Sequence, residues 1–194
     1  MRLFVAINLK DEERRKLYKA TARLRQSDMP VRWVEQPALH MTLKFLGEVR
    51  APDVDAVMRA VAAVAAKAVP HDVRLAGFGA FPTIRRPHVI WAGAEATPEL
   101  RSLKHDLEWE LAALGFEREL RAFQPHITLG RARANSEAGE FRDLEELLGG
   151  IRYKGKVQIR HVDLMSSRLT GAGARYEILG SAPVGVIEKR KAAG

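Results

Sequence analysis

Three observations predict an α+β fold with antiparallel sheets. Strand-like segments fall in pairs between helical ones, in the rough order β-α-β-β-α-β-β-α-β-α-β-β, whereas a doubly wound parallel sheet needs a helix at nearly every crossover. No nucleotide-binding glycine fingerprint is present: Gly77-Phe78-Gly79 runs on into Ala80-Phe81-Pro82, and no segment carries the Gly-Lys-Ser/Thr of a phosphate loop. The 194 residues are 46% hydrophobic and 29% charged with 15 Gly and 9 Pro, the composition of one globular domain or two small lobes. A chain of this length buries roughly 70% of its unfolded surface, so its core needs no crosslink.

Each element has a local cause. Leu3 to Leu9 is apolar enough for a buried strand, and Asp11 opens a helix with an acidic first turn that runs to about Gln26. Val31 to Glu35 and His40 to Val49 are β-like, separated by Gln36-Pro37-Ala38. Pro52-Asp53 starts a helix whose Val54, Val57, Met58, Val61, Val64 and Ala68 form one apolar stripe, ended by Pro70. Val73 to Phe81 and His88 to Ala92 flank the turn-rich stretch Pro82 to Pro87. Thr97 is an N-cap with Pro98 at the first helical position, followed by Leu100, Leu103, Leu107, Leu111 and Leu114, with Gly115 at the end. Phe123 to Arg133 is a strand, Ser136 to Leu148 a short helix, and Val157 to Leu169 with Arg175 to Leu179 a closing hairpin. The expected domain is 1–186, followed by a basic tail over 187–194.

Thirty-two Lys and Arg against 24 Asp and Glu give a net charge of +8, which points to an acidic partner, nucleic acid first. Cysteine is absent, which excludes disulfides, thiolate nucleophiles, iron–sulfur clusters and Cys-based zinc sites. No stretch has the length and apolarity of a membrane span, and the short Leu3–Ile7 run meets charge at Asp11 rather than a cleavage site. A cytoplasmic location with no membrane partner is therefore expected.

One internal echo carries chemistry: His40-Met41-Thr42-Leu43 and His126-Ile127-Thr128-Leu129. With only six Thr in the chain, the repeat is not an accident of composition. On a strand, His and Thr two apart share a face while the intervening residue and the Leu point into a core. Two imidazoles facing each other can divide acid and base duties near neutrality, and two hydroxyls can hold phosphate oxygens. In-line opening of a phosphodiester, especially a strained cyclic one, is the reaction that fits this set.

With these motifs, the chain resembles the bacterial and archaeal RNA 2',3'-cyclic phosphodiesterases, also called 2'-5' RNA ligases, of the two-histidine phosphoesterase superfamily. The resemblance spans Arg2-Leu3-Phe4-Val5-Ala6-Ile7, Trp33-Val34, His40 to Gly47, Phe81-Pro82, Phe123 to Arg131, Leu164-Met165-Ser166-Ser167 and Tyr176. It implies two similar lobes related by a pseudo-twofold axis, their antiparallel sheets facing across a central cleft. It also implies ATP- and metal-independent hydrolysis of RNA 2',3'-cyclic phosphate ends to 2'-phosphate, with weak reversible 2'-5' ligation in some members. By position, His40 becomes the acid for the leaving 3'-oxygen and His126 the base for water, although the near symmetry of the motifs leaves their order interchangeable. Thr42 and Thr128 would bind phosphate oxygens, Arg131 the phosphate, and Phe45 the terminal base. Strict alternation puts Phe45 and Arg131 on the face opposite the histidines, so their roles require a bulge near Lys44 and Gly130. By the same parity Lys44 belongs on the histidine face.

No cofactor or metal is expected. His71, His88, His105 and His161 have neither a Thr two places on nor a second ligand at metal spacing, and read as structural or surface residues. Trp33 reads as packing, and Ser166-Ser167 lacks a nucleophile elbow. The expected partners are RNA with 2',3'-cyclic phosphate ends or small cyclic nucleotides, bound by a monomer. Two rivals remain open at this point: a non-catalytic module that holds RNA ends in a basic cleft, and a phosphodiesterase for another cyclic phosphate.

Overall fold

The computed structural model describes residues 1–170 and 173–185; the tail expected over 187–194 lies outside them. Nine strands are described: β1 (Arg2–Asn8), β2 (Val31–Trp33), β3 (His40–Glu48), β4 (His71–Pro82), β5 (Pro87–Ala94), β6 (His126–Ala132), β7 (Gly155–Ile159), β8 (His161–Thr170) and β9 (Gly173–Pro183). The helices are α1 (Asp11–Ala20), α2 (Ala22–Arg25), α3 (Val54–Lys67), α4 (Pro98–Ala112) and α5 (Leu144–Gly149).

Every strand pairing among the described residues is antiparallel. Two four-stranded groups, β9-β8-β1-β3 and β7-β4-β5-β6, meet edge to edge at β3 and β6. A single pair, Met41 opposite Ile127, joins them, and β2 continues along the same edge of β6. Exchanging β3 with β6, β1 with β5, β8 with β4 and β9 with β7 maps one group onto the other. A pseudo-twofold axis therefore passes beside the Met41–Ile127 pair, and the two expected lobes form one sheet. Helices α3 and α4 pack together over β3, β8 and β9, while α1 lies over β7 and α5 over β4. The stripe Leu100, Leu103, Leu107 and Leu111 is fully buried, each side chain stabilising the fold by about 1.5–3 kcal/mol. Thr97 caps α4 as the sequence predicts, its hydroxyl accepting the Leu100 N–H at 3.2 Å.

Three elements differ from expectation. The helix from Asp11 breaks at Thr21, whose hydroxyl donates back to the carbonyl of Leu17 at 2.9 Å, a bond that competes with the helical ladder. The helix expected over Ser136 to Leu148 is a 3-10 turn at Ala138–Phe141 followed by the short α5. The strand expected from Val157 to Leu169 is two strands in different lobes: β7 pairs with β4 and β8 with β1. The chain changes lobe at Arg160, whose guanidinium donates to the His71 carbonyl at 2.7 Å and to the Asp72 carboxylate at 2.8 Å.

The strands that carry the His-x-Thr motifs are irregular at matching places. Val5 pairs with Lys44 and Ala6 with Thr42, leaving Leu43 as an extra residue. Ile90 pairs with Gly130 and Trp91 with Thr128, leaving Leu129 as an extra residue. Each extra residue lies three places after its histidine. Behind the second bulge, a Cβ on Gly130 would come within 2.6 Å of both Trp33 Cε3 and Val31 Cγ1. Gly130→Ala is accordingly expected to destabilise the protein by about 1–3 kcal/mol through overpacking. Gly139→Ala, where a Cβ meets nothing within 4 Å, should unfold in urea at nearly the parent midpoint. Equal midpoints for the two variants would contradict the packing described here.

Candidate active site

The bulges decide which side chains meet. Along β3, His40 and Thr42 are half-buried, Met41, Leu43 and Lys44 are buried, and Phe45 is exposed; β6 repeats this pattern from His126 to Arg131. Two consecutive inward residues restore Phe45 and Arg131 to the histidine face, as an inserted residue must when side chains alternate. The same shift sends Lys44 into the interior, contrary to its sequence parity. It ion-pairs there with Glu108 at 2.5 Å and donates to the Glu117 carbonyl at 2.7 Å. Lys104 binds the other oxygen of Glu108 and reaches Glu119 at 3.0 Å, so this buried carboxylate is held by two ammonium groups.

Both imidazoles are fixed in the same manner. His40 Nδ1–H donates to the carbonyl of Ala38 at 2.7 Å and His126 Nδ1–H to that of Gln124 at 2.8 Å. A carbonyl can only accept, so in each neutral ring the proton sits on Nδ1 and Nε2 is left with its lone pair. Burial pushes His40 down from 6.5 to about 4; the Ala38 carbonyl opposes this, and the charges of Arg14, Arg131 and His126 add to it. Burial also lowers His126, opposed by the Gln124 carbonyl and the Glu119 charge and assisted by Arg131. Arg131 thus acts on both rings, and among the described residues it has no carboxylate partner. Two neutral imidazoles beside an uncompensated guanidinium make a place where an anion is favoured, and a bound anion would raise both imidazole pKa values.

Aromatic rings wall the two halves differently. His40 packs against Phe4 at 5.0 Å and edge-on to Tyr176 at 5.1 Å between ring centres. Phe45, 68% exposed, extends this cluster through Phe4 at 6.0 Å. His126 meets Phe81 edge-on at 5.2 Å, and Phe81 rests on Trp91 at 5.1 Å. A polar chain reaches the His40 side from behind. Arg14 donates to the Leu39 carbonyl at 3.3 Å and to Asn8 at 3.0 Å, and Asn8 donates to the buried Asp163 at 2.8 Å. Sequence reasoning singled out none of Phe4, Phe81, Tyr176, Asn8 and Arg14 for a role at the site. They come from strands and a helix whose register with the motifs no local pattern encodes; Asn8 opposite His40 is a long-range pairing. Trp33 packs behind Gly130, as its sequence reading expects. Among the described residues, no group of three His, Asp or Glu is arranged to hold a metal, and no helix is long and apolar enough to cross a membrane.

A family model for LigT-like phosphoesterases matches the chain twice, over residues 7–91 and 93–176. The chain belongs to this family. The two matches begin at equivalent strands, β1 and β5, and contain one His-x-Thr each. Between them the halves exchange their closing strands: β4 of the first pairs with β5 of the second, and β8 of the second with β1 of the first. Among curated relatives, the RNA 2',3'-cyclic phosphodiesterase of Archaeoglobus fulgidus is 32% identical over 179 residues, covering 92% of this chain and 98% of that one. That of Methanothermobacter thermautotrophicus is 30% identical over 178 residues, covering 91% and 95%. The crystal structure of TT0787 from Thermus thermophilus superposes with a TM-score of 0.78 at 27% identity, covering 95% of this chain and 98% of that one. Escherichia coli LigT complexed with 3'-AMP does so with a TM-score of 0.72 at 26% identity, covering 94% and 97%.

The depressed His40 makes stability depend on pH. In the unfolded chain its imidazole takes a proton near 6.5, in the folded protein only near 4. Between those values the unfolded state binds more protons, so this residue's contribution is complete above about pH 6.5 and is lost as pH falls toward 4. Thermal melts should therefore show a smaller drop in Tm from pH 7 to pH 4.5 for His40→Gln than for the parent protein. An unchanged drop would mean that the ring protonates freely in the fold.

Proposed function

We propose that this chain hydrolyses RNA 2',3'-cyclic phosphate ends to 2'-phosphates, without ATP or a metal ion, by acid–base catalysis between His40 and His126. The observation that carries this reading is the symmetric pair of Nδ1-anchored imidazoles, each followed by a Thr on the same face, with Arg131 acting on both. The names of the relatives, matched over nearly their whole length, support the choice of substrate. A water oxygen attacks phosphorus while His126 Nε2 accepts its proton. The P–O3' bond breaks, and His40 Nε2–H gives its proton to the departing 3'-oxygen. The P–O2' bond survives, so the product is a 2'-phosphate with a free 3'-hydroxyl. Thr42, Thr128 and Arg131 bind the non-bridging oxygens, whose charge grows in the transition state, and Phe45 stacks on the terminal base. The same steps in the same direction, with the 5'-hydroxyl of a second RNA attacking phosphorus in place of water and the 3'-oxygen leaving, give a 2'-5' linkage; their reverse cleaves it.

Burial gives the His40 imidazolium a strong tendency to release its proton, which suits an acid facing an alkoxide, while keeping the protonated form scarce at neutral pH. The productive microstate carries one proton on the pair, so kcat/KM should follow a bell with its maximum below pH 6.5. A maximum above pH 7 would contradict this.

Product analysis is the deciding experiment. In EDTA and without ATP, an oligonucleotide ending in a 2',3'-cyclic phosphate should yield a 2'-phosphate, and a 3'-phosphate would reverse the bond assigned to break. His40→Ala and His126→Ala should each lower kcat by about 10²–10⁴-fold with the fold retained. Full activity in either would refute the paired scheme, and binding without turnover by the parent protein would favour a module that only holds RNA ends.

A further inference from the structure

A hollow of about 400 Å³ lies between α4 and the segment that leads into β6. Its walls are Arg101, His105, Trp109, Arg118, Leu120 and Arg121, over a floor that includes Lys104, Glu108 and Phe123. Trp109 is 54% exposed and Leu120 88%, an unusual outlay of apolar surface on a hollow edged by arginines. The Arg118 guanidinium lies 3.9 Å from the Trp109 ring centre, and the His105 ring lies 6.0 Å from it. The two carboxylates in the hollow are already compensated: Glu108 by Lys44 and Lys104, and Glu119 by Lys104. Arg101, Arg118 and Arg121 have no carboxylate partner among the described residues, so the hollow presents net positive charge.

The hollow adjoins the paired histidines. Phe123, on its floor, is followed directly by Gln124, whose carbonyl holds the His126 imidazole, and the charge of Glu119, on its wall, acts on the same ring. We propose that it binds the nucleotide preceding the cyclic-phosphate end, which makes an RNA strand rather than a cyclic mononucleotide the preferred substrate. Trp109 offers a face to the base, and the arginines pair with the backbone phosphates, the combination by which single strands are held without sequence preference. The size of the hollow suits one small-molecule-sized unit, and its charge fits a polyanion. This inference rests on the phosphodiesterase reading above.

The test compares two substrates, a 2',3'-cyclic mononucleotide and a short oligonucleotide with the same cyclic end, in the parent protein, Trp109→Ala and Arg118→Gln/Arg121→Gln. In both variants kcat/KM for the oligonucleotide should fall about tenfold or more, and for the double variant its salt dependence should flatten. The value for the mononucleotide should stay within about twofold of the parent, since no base lies beyond its own phosphate. Unchanged oligonucleotide kinetics in both variants, or an equal loss on both substrates, would overturn the proposal and return the hollow to a structural or protein-facing role. Should the parent protein hydrolyse neither substrate, the phosphodiesterase reading fails by itself. Fluorescence anisotropy with the same oligonucleotide then decides the hollow: a Kd raised about tenfold in both variants supports it, and an unchanged Kd overturns it.

Discussion

An inserted residue just after each His-x-Thr, Leu43 on β3 and Leu129 on β6, sets the composition of the site. A regular strand would present His40, Thr42 and Lys44 on one face and hide Phe45. The bulge buries two residues in succession and so trades a lysine for an exposed aromatic on β3 and a glycine for an arginine on β6. The interior must then accept what the surface gave up. On β3 it does so with an ionic cluster, in which Glu108 binds both Lys44 and Lys104. On β6 it does so with space, since Gly130 leaves room for Trp33 and Val31. A buried lysine without its carboxylate would be strongly destabilising, so the geometry of Phe45 depends on a helix, α4, from the other half of the chain.

That dependence is general in this fold. The two family matches are sequential in the chain, yet their closing strands are exchanged and their helices cover each other's sheets. Neither half completes a four-stranded sheet by itself, which couples the two motifs through the whole core rather than through the single Met41–Ile127 bridge. Duplication supplies the same imidazole anchor twice, and divergence makes the surroundings unequal. His40 is enclosed by Phe4 and Tyr176 and backed by the Arg14–Asn8–Asp163 chain, whereas His126 meets Phe81 edge-on and feels the charge of Glu119. Two groups with the same covalent structure can take different proton-transfer roles only through such differences in environment.

The sequence made much of this legible. The repeated His-x-Thr, the α+β order and the cap at Thr97 are local patterns, and the need for a bulge followed from the site roles that the family resemblance implied for Phe45 and Arg131, five places after each histidine. The same periodicity misplaced Lys44, because one-dimensional alternation carries no sign of an inserted residue. It also merged β7 with β8, since an apolar stretch does not record that its two ends pair with different partners; the break at Arg160 is made by contacts to His71 and Asp72, far away in the chain. Phe4, Phe81 and Tyr176 carried part of the family resemblance, but their contact with the imidazoles was not legible for a related reason: each is an ordinary strand aromatic until the register brings it against a ring.

The proposed catalysis by this pair requires that the two imidazoles serve one anion. A crystal structure of the protein grown with inorganic phosphate tests this directly. It should show a single phosphate within hydrogen-bond distance of Nε2 of both His40 and His126, with the hydroxyls of Thr42 and Thr128 on its oxygens. A phosphate held by one ring alone, or two phosphates each with its own histidine, would contradict it.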